Sequence, residues 1–201
     1  DLHLSIRRHR QMCIRDRGET KGQLYVISAP SGTGKTTVVR ALLDRHPDLI
    51  ESISYTTRDM RPGDRAGVDY HFVDVDGFKK LADEGFFAEW AEVYGNFYGT
   101  PKTPIAEAIE RGEKVILDID VQGGMALKKH FPDCMTIFLL PPSEEDLVRR
   151  LRGRATDAEG AIARRLTTAK HELTFQDRYD RRVVNDVVNR AVTEIETLIY
   201  G

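Results

Sequence analysis

Cysteine is scarce in this sequence, and long apolar runs are missing from it. The two cysteines, Cys13 and Cys134, match no metal-ligand spacing and suggest no disulfide framework, so we expect thiols in a reducing compartment, with the cytoplasm as the location. No apolar run approaches the length of a membrane span. The formal net charge of −2 argues against a general affinity for nucleic acid, although local arginine clusters can still bind phosphate.

What the sequence does contain is an ordinary globular composition and an alternation of strand and helix patterns. Of its 201 residues, 40% are hydrophobic and 31% are charged, which suits one domain with a substantial core. From Gly22 onward the alternation predicts an α/β fold with a parallel sheet. The predicted strands cover residues 24–28, 50–54, 69–73, 86–94, 114–120, 135–140 and 182–185, and the predicted helices include 78–83, 104–111, 158–179 and 191–200.

Residues 1–21 differ from the rest of the chain, with five arginines and little periodicity. Three interpretations are open: a basic arm for nucleic acid, an organelle transit sequence, or an extension that is disordered or foreign to the natural protein. We favour the last interpretation, because residues 12–17 (Met-Cys-Ile-Arg-Asp-Arg) look like translated sequencing adapter.

One stretch matches the glycine-rich loop that binds phosphates, with an apolar strand before it and a helical pattern after it. This loop consists of Ala29, Pro30, Ser31, Gly32, Thr33, Gly34, Lys35 and Thr36. Backbone N–H groups of such a P-loop surround the phosphates, and the following helix N-terminus adds partial positive charge. Lys35 can reach the β and γ oxygens, and the Thr36 hydroxyl can ligate Mg²⁺. Ala29 stands where the pattern usually has glycine, which costs about 1 kcal/mol if that position needs a positive φ.

The strand predicted at 114–120 ends in two carboxylates, Asp118 and Asp120. In P-loop proteins a strand beside the loop supplies such an acid to the metal shell, and either residue suits that role. The alternative for each is an N-cap of the helix that starts near Val121. Which acid lies nearer the metal is left open by the sequence.

An arginine-rich stretch lies between two predicted helices. Residues 149–154 contain four arginines around Gly153, and the next helix adds Arg164 and Arg165. Such a run is usually a solvated surface. Beside a phosphate-binding loop, however, a basic hinge that contains glycine also suits a mobile lid.

Eight motifs, in this order along residues 22–200, carry a family resemblance. Besides the loop at 29–36 they are Ser-Tyr-Thr-Thr-Arg-Asp-Met-Arg-Pro-Gly-Asp (54–64), Asp-Tyr-His-Phe-Val (69–73), Phe-Ala-Glu-Trp-Ala (87–91), Gly-Asn-Phe-Tyr-Gly-Thr (95–100), Ile-Leu-Asp-Ile-Asp-Val-Gln-Gly (116–123), Arg-Gly-Arg (152–154) and Val-Val-Asn-Asp (183–186). The chain resembles the bacterial guanylate kinases, which transfer the γ-phosphoryl group of ATP to GMP. Ala29 is familiar at this loop in bacterial members.

The resemblance implies a fold class and its parts. We expect a P-loop NTPase-type parallel sheet flanked by helices, with a small mixed α/β GMP-binding insertion and a helical lid. The core would comprise residues 22–53, 101–152 and 180–201, the insertion residues 54–100, and the lid residues 153–179.

The resemblance also assigns residues to GMP. These residues are Ser54, Arg58, Arg61, Tyr70, Glu89, Tyr98, Thr100 and Asp120. Arginines suit the GMP phosphate because their forked donors match its oxygens, and tyrosine hydroxyls can add donors. An anionic acceptor such as Glu89 would select guanine, whose N1 and N2 are donors, over adenine, whose N1 is an acceptor.

On the donor side, the resemblance assigns ATP to residues 29–36 together with Thr37 and Asn185, the latter near the adenine. Lys35, Arg154 and Arg165 would be catalytic, since they neutralise charge on the moving phosphoryl group. Mg²⁺ would be held through Thr36 and Asp118. No general base is evident, and none is needed, because the attacking GMP phosphate is already ionised at neutral pH.

Three alternatives compete with this interpretation: a kinase for another phosphorylated acceptor, a catalytically dead guanylate-kinase-like module that binds phosphopeptides, and a regulatory or nucleic-acid protein that uses the basic N-terminal arm. Intact Lys35 and Thr36 argue against the second, and the mild acidity of the chain against the third. We expect ATP and GMP as partners, with no nucleic acid and no membrane. The oligomeric state, a homo-oligomer included, is left open.

Overall fold

The larger of two sheets has five parallel strands, and its central strand leads into the phosphate-binding loop. The computed structural model describes residues 22–93, 95–152 and 159–201. The strands of this sheet are β1 (Gln23–Ser28), β2 (Leu49–Glu51), β7 (Lys114–Asp118), β8 (Met135–Leu140) and β9 (Arg181–Val184). They lie in the order β2-β7-β1-β8-β9. After β1 the chain continues to β2 on one side of β1, whereas after β8 it continues to β9 on the other side. The carboxyl end of β1 therefore lies where the strand order reverses, which is the place where ligands bind in open α/β sheets.

Both faces of this sheet are covered by helices, because β1 is apolar at every position from Leu24 to Ile27. The helices around this sheet are α1 (Lys35–Arg45), α3 (Lys102–Glu110), α4 (Val121–His130), α5 (Glu144–Arg152), α6 (Glu159–Leu173) and α7 (Val188–Tyr200). Tyr25 and Ile27 belong to one buried cluster, with apolar residues of α1 and α7, whereas Leu24 and Val26 belong to another, with apolar residues of α3 and α4. Successive strand residues point to opposite faces, which explains this division.

The smaller sheet is mixed and has four strands. They are β3 (Tyr55–Thr56), β4 (His71–Phe72), β5 (Phe87–Val93) and β6 (Asn96–Pro101), in the order β4-β3-β6-β5, and the helix α2 (Val75–Asp83) lies beside them. Strand β3 pairs with β4 in parallel and with β6 antiparallel, and β5 pairs with β6 antiparallel. Phe78 of α2 stacks on Phe87 with 4.6 Å between ring centroids, so aromatic packing holds the helix on the sheet.

Several segments differ from the sequence-based expectation. Strand β2 ends at Glu51 instead of residue 54, and β7 ends at Asp118, so Asp120 lies outside the strand. Strand β6 carries no clear strand pattern, because asparagine and glycine interrupt its aromatic residues. The helix expected at 158–179 ends at Leu173 and is followed by a 3₁₀ turn, Gln176–Arg178.

The predicted fold class is confirmed: a parallel sheet flanked by helices, accompanied by a small mixed sheet. In the part of the chain that the structure describes, every helix is too short or too polar to span a membrane.

Candidate active site

The loop after β1 has the backbone shape that its glycines allow. Positive φ angles occur at Gly32 (89°) and Gly34 (95°), where glycine avoids a steric penalty. The Thr33 N–H donates to the Pro30 carbonyl at 3.2 Å, which closes a tight turn. Ala29 is buried in the main core cluster, so its methyl group contributes to packing.

Helix α1 starts at Lys35, at the end of this loop, and no side chain caps its N-terminus. The N-cap residue is Gly34. By contrast, Asp74 caps α2 and Asp120 caps α4. The first N–H groups of α1 therefore have no intrahelical partner and are available to an anion.

Two neighbouring parts of the chain contact the loop: the segment after β9 and helix α5. The Asn185 side chain, after β9, donates from Nδ2 to the Thr33 carbonyl at 2.8 Å, and it is only 2% exposed. Arg150 of α5 donates to the same Thr33 carbonyl at 2.9 Å and to the Asn185 carbonyl at 3.0 Å. A Cβ at Gly32 would lie 2.8 Å from the Leu151 side chain, so only glycine allows this approach. These contacts fix the position of the loop relative to β9 and α5.

Lys35, Thr36 and Asp118 form a compact group at the base of the loop. Lys35 Nζ lies 2.5 Å from Asp118 Oδ1 and donates to the Ile119 carbonyl at 2.5 Å. Thr36 Oγ1 donates to Asp118 Oδ2 at 3.2 Å. A hydroxyl and a carboxylate side by side are oxygen ligands of the type that Mg²⁺ takes, together with substrate phosphates and water. Among the described residues there is no cluster of three or more histidine, cysteine or acidic side chains for an all-protein metal site.

The two candidate metal acids have different positions. Asp118 contacts Thr36, whereas Asp120 caps α4: its Oδ1 accepts from the N–H groups of Gln122 (2.8 Å) and Gly123 (2.9 Å). The capping alternative raised by the sequence therefore holds for Asp120. Asp118 is the acid that lies beside the loop.

A cleft of about 480 Å³ joins the loop side of the core to the small sheet. Thr36 and Asp118 line it on the core side. On the other side it is lined by five of the residues predicted to bind GMP, which are Ser54, Arg58, Arg61, Tyr70 and Tyr98. The fold thus brings the predicted metal ligands and the predicted phosphate arginines to one cavity.

Within this cleft, Arg58 is held by an acid that the sequence motifs contain but to which we assign no role. Arg58 Nη2 lies 2.8 Å from Asp64 Oδ2, and the guanidinium lies 5.4 Å from the Tyr70 ring centroid. The Arg61 N–H also donates to Asp64 at 2.8 Å. This N–H and the Arg58 guanidinium lower the pKa of Asp64. Burial, with the charge of Asp118 adding to it, raises the pKa of Tyr70 to about 12, so its hydroxyl stays a donor.

Glu89, Thr100 and Asp120 form a second group beside the N-terminus of α4. The Thr100 hydroxyl donates to Glu89 Oε1 at 2.6 Å, and Thr100 is fully buried. The two residues are register partners on β5 and β6, next to an irregularity between Phe87 and Glu89. Burial raises the pKa of Glu89 to about 7, and the charge of Asp120 acts in the same direction.

Three further residues of the predicted site are Thr37, Arg154 and Arg165. Thr37 is exposed on α1, and Arg165 lies on α6. Arg154 lies outside the described residues.

Comparison of the sequence with protein-family models identifies the family of this chain. The family model described as guanylate kinase matches residues 21–200. The chain belongs to the guanylate kinase family.

Individual guanylate kinases agree with this assignment. The protein from Syntrophotalea carbinolica is 51% identical over 180 residues, which cover 90% of this chain and 86% of that protein. The protein from Myxococcus xanthus is 50% identical over 181 residues, covering 90% and 87%. The crystal structure of guanylate kinase from Anaplasma phagocytophilum superposes with a TM-score of 0.76 at 32% identity, covering 90% of this chain and 86% of that chain. The predicted family is confirmed.

Sequence reasoning missed some residues that contact this guanylate kinase site. Arg150, which donates a hydrogen bond to the Thr33 carbonyl, lies in an arginine run of the kind that is usually a solvated surface. A signal was present, since Arg150 adjoins Leu151 and follows Leu147 by three positions, on the buried face of α5. Asp64 gave no such signal, because it lies in a loop without the periodicity that would show which way its side chain points.

Proposed function

We propose that this protein transfers the γ-phosphoryl group of ATP to GMP, giving ADP and GDP. The observation that carries the proposal is the single cleft lined by Thr36 and Asp118 on one side and by Arg58 and Arg61 on the other. Phosphoryl transfer needs its donor and acceptor phosphates in line and at close range. This cleft is lined both by the candidate metal ligands and by the candidate arginines for the GMP phosphate. Family membership supports the same reaction.

GMP would bind on the side of the small sheet. Its phosphate would be held by Arg58 and Arg61, with Tyr70 and Tyr98 as hydroxyl donors. Its guanine would lie at Glu89, with help from Ser54, Thr100 and Asp120. The buried Thr100–Glu89 contact supports this role, since it presents a carboxylate with a fixed orientation where a purine edge needs an acceptor.

ATP would bind at the loop of residues 29–36, with Thr37 on the following turn and Asn185 toward the adenine. Lys35 contacts Asp118, and it would exchange this contact for the β and γ oxygens of the nucleotide. Mg²⁺, when bound, supplies charge neutralisation on the phosphates. Thr36 and Asp118 would hold this ion, and their adjacent oxygens support the assignment.

The remaining chemistry requires positioning more than covalent help. The attacking oxygen of GMP is already anionic, so no side chain has to remove a proton. Lys35 with Arg154 and Arg165 would neutralise the charge on the moving group and hold it in line. A GMP-binding insertion (54–100) and a lid (153–179) that close over the core would exclude water from the site. The exclusion of water would prevent hydrolysis of ATP. A reaction on free nucleotides fits a cytoplasmic location.

The decisive experiment measures ADP formation from ATP and Mg²⁺ with GMP, AMP, dTMP or no acceptor in parallel. We expect rapid turnover with GMP alone and at most slow hydrolysis in the other three. Equal turnover with AMP or dTMP, or turnover that does not depend on an acceptor, would contradict the proposal. Omission of Mg²⁺ should remove the activity, and a rate unchanged by chelation would count against Thr36 and Asp118 as ligands.

A further inference from the structure

Asp64 is an acid of the cleft that has no part in the proposed reaction, although it contacts both arginines proposed for the GMP phosphate. Its Oδ2 lies 2.8 Å from Arg58 Nη2 and accepts from the Arg61 N–H at 2.8 Å. The ion pair is largely shielded from solvent, since the Arg58 side chain is 11% exposed and that of Asp64 is 20% exposed. One carboxylate oxygen therefore contacts the guanidinium group of one arginine and the backbone of the other.

A carboxylate at this position needs an explanation, because it lies beside the proposed place of a phosphate. Two negative charges repel each other, so Asp64 would weaken the binding of GMP if its charge were its only effect. The Arg61 N–H, and also the Arg58 guanidinium, lower the pKa of Asp64, so its carboxyl group is ionised at neutral pH. The contacts of this carboxylate indicate a benefit that outweighs the repulsion.

The turn that carries Asp64 is fixed by its own sequence. The Asp64 N–H donates to the Arg61 carbonyl at 3.0 Å, which closes a four-residue turn. Its central residues are Pro62 and Gly63, and the φ angle of Gly63 is 96°, a combination typical of a type II turn. The Arg61 N–H in turn donates to the Asp64 side chain. Arg61 and Asp64 are thus held together, and the carboxylate reaches from this turn to Arg58.

Arg58 has further contacts that restrict its side chain. Its Nη1 donates to the Asp59 carbonyl at 2.7 Å, and its guanidinium carbon lies 5.4 Å and 5.6 Å from the ring centroids of Tyr70 and Phe72. A guanidinium group has five N–H donors, so donors remain for the oxygens of a phosphate. With Asp64 in place, the long side chain is ordered before the ligand arrives, and binding loses less rotamer entropy.

We propose that Asp64 is a positioning residue for the phosphate of GMP, acting mainly through the Arg58 guanidinium. This inference rests on the proposed function, which names GMP as the ligand. Calorimetry of GMP binding to the parent without ATP separates the two. A parent that binds no GMP would contradict both the function and the inference, whereas GMP binding that is the same in the parent and in the Asp64 variants would contradict the inference alone.

The first test compares Asp64→Ala with Asp64→Asn. Alanine removes both contacts, so we expect the Kd and the KM for GMP to rise about tenfold, equivalent to about 1.4 kcal/mol, with the KM for ATP within twofold of the parent. Asparagine keeps an oxygen acceptor without the charge, so we expect a rise of about threefold. If the carboxylate only repels the phosphate, the alanine variant should bind GMP more tightly. Unchanged or tighter binding would therefore overturn the proposal.

Guanosine distinguishes positioning of the phosphate from a general loss of structure. It lacks the phosphate, so its affinity for Asp64→Ala, measured by NMR titration, should stay within twofold of its affinity for the parent. Equal losses of affinity for guanosine and GMP would mean that the whole GMP site is damaged, and the positioning role would be wrong.

Asp44→Ala is the matched control for charge. Asp44 is exposed on α1 and lines the same cleft, so this variant removes one negative charge from the cleft and leaves the contacts of both arginines in place. We expect a Kd for GMP within twofold of the parent. A tenfold change in this control would show that the charge of the cleft, and not the contacts of Asp64, determines the affinity for GMP.

The last test combines Asp64→Ala with Arg58→Ala. If Asp64 acts mainly through the guanidinium group, its removal from a variant that already lacks Arg58 should weaken GMP binding by less than threefold. Calorimetry of the single and double variants measures this difference. A further loss of threefold or more would mean that Asp64 acts independently of Arg58 and would overturn the proposal.

Discussion

Glu89 is the residue whose environment differs most from that of an ordinary surface acid. It lies among buried residues with one hydrogen bond from Thr100, and its pKa is raised to about 7. A site that hydrogen-bonds a substrate donor discriminates strongly, because an analogue without that donor leaves a buried polar group unpaired. At the residue scale, Glu89 is therefore the proposed origin of guanine specificity.

Glu89→Gln should lower kcat/KM for GMP by about 100-fold, since the amide cannot accept from both N1 and N2 of guanine. Steady-state assays at saturating ATP measure this effect, and the KM for ATP should stay within twofold. Glu92→Gln is the matched control, because Glu92 is exposed on the same strand. GMP turnover that is unchanged in Glu89→Gln would remove Glu89 from the specificity argument.

The same residue makes an expected contribution to stability that depends on pH. Because burial raises the pKa of Glu89 from 4.5 to about 7, the folded state binds the proton more tightly than the unfolded state. Its contribution is fully present below pH 4.5 and is lost as pH rises to about 7. Relative to the parent, Glu89→Gln should therefore gain up to about 3 kcal/mol between pH 4.5 and 8, measured by urea unfolding without nucleotide. A difference that does not change with pH would contradict the shifted pKa.

At the scale of elements, Asp120 has a structural role that is separate from its proposed contact with GMP. It caps α4 through two backbone N–H groups. Asp120→Ala should therefore lower the free energy of unfolding by about 1 kcal/mol, whereas Asp120→Asn, which keeps an acceptor, should lower it by less than half as much. Thermal unfolding measures both effects.

The same pair of substitutions at Asp74 is the control for this prediction. Asp74 caps α2 through Gly77 at 2.6 Å. If Asp120→Asn keeps stability but weakens GMP binding, the charge contributes to the substrate site as well as to the cap. Equal stability losses for the Ala and Asn variants of Asp120 would refute the capping role.

At the same scale, the sequence predicts some elements of the fold and not others. The strand, loop and helix around residues 24–45 result from strong local signals: an apolar run, glycines at positive φ, and helical spacing. Strand β6 has no such local signal. Its residues form a strand because β3 and β5 pair with it on both sides. The contacts of Arg150 with Thr33 and Asn185 are equally non-local. The motifs could thus predict the site residues on the loop, but not that Arg150 holds the loop in place.

At the scale of the whole molecule, residues 1–21 are predicted to be dispensable. The family match starts at residue 21, and the extension does not resemble the rest of the chain. A variant that lacks residues 1–20 should keep GMP-dependent ADP formation within twofold of the full chain and show the same melting temperature. Loss of turnover with a folded remainder would give the extension a functional role.

On the side of the cleft, an exposed ion pair connects the core with the small sheet, and this arrangement allows closure around nucleotides. Arg40 of α1 pairs with Asp69 beside the small sheet at 2.7 Å, but its side chain is 64% exposed, so this ion pair stabilises the relative position only weakly. If the small sheet closes over GMP and the lid over ATP, the radius of gyration in small-angle scattering should fall when GMP and a non-hydrolysable ATP analogue are both present. Each nucleotide alone should give a smaller decrease, and Arg40→Ala should leave the closed dimensions unchanged. Equal dimensions with and without both ligands would contradict closure, and the exclusion of water would then have to arise within a cleft that is already formed.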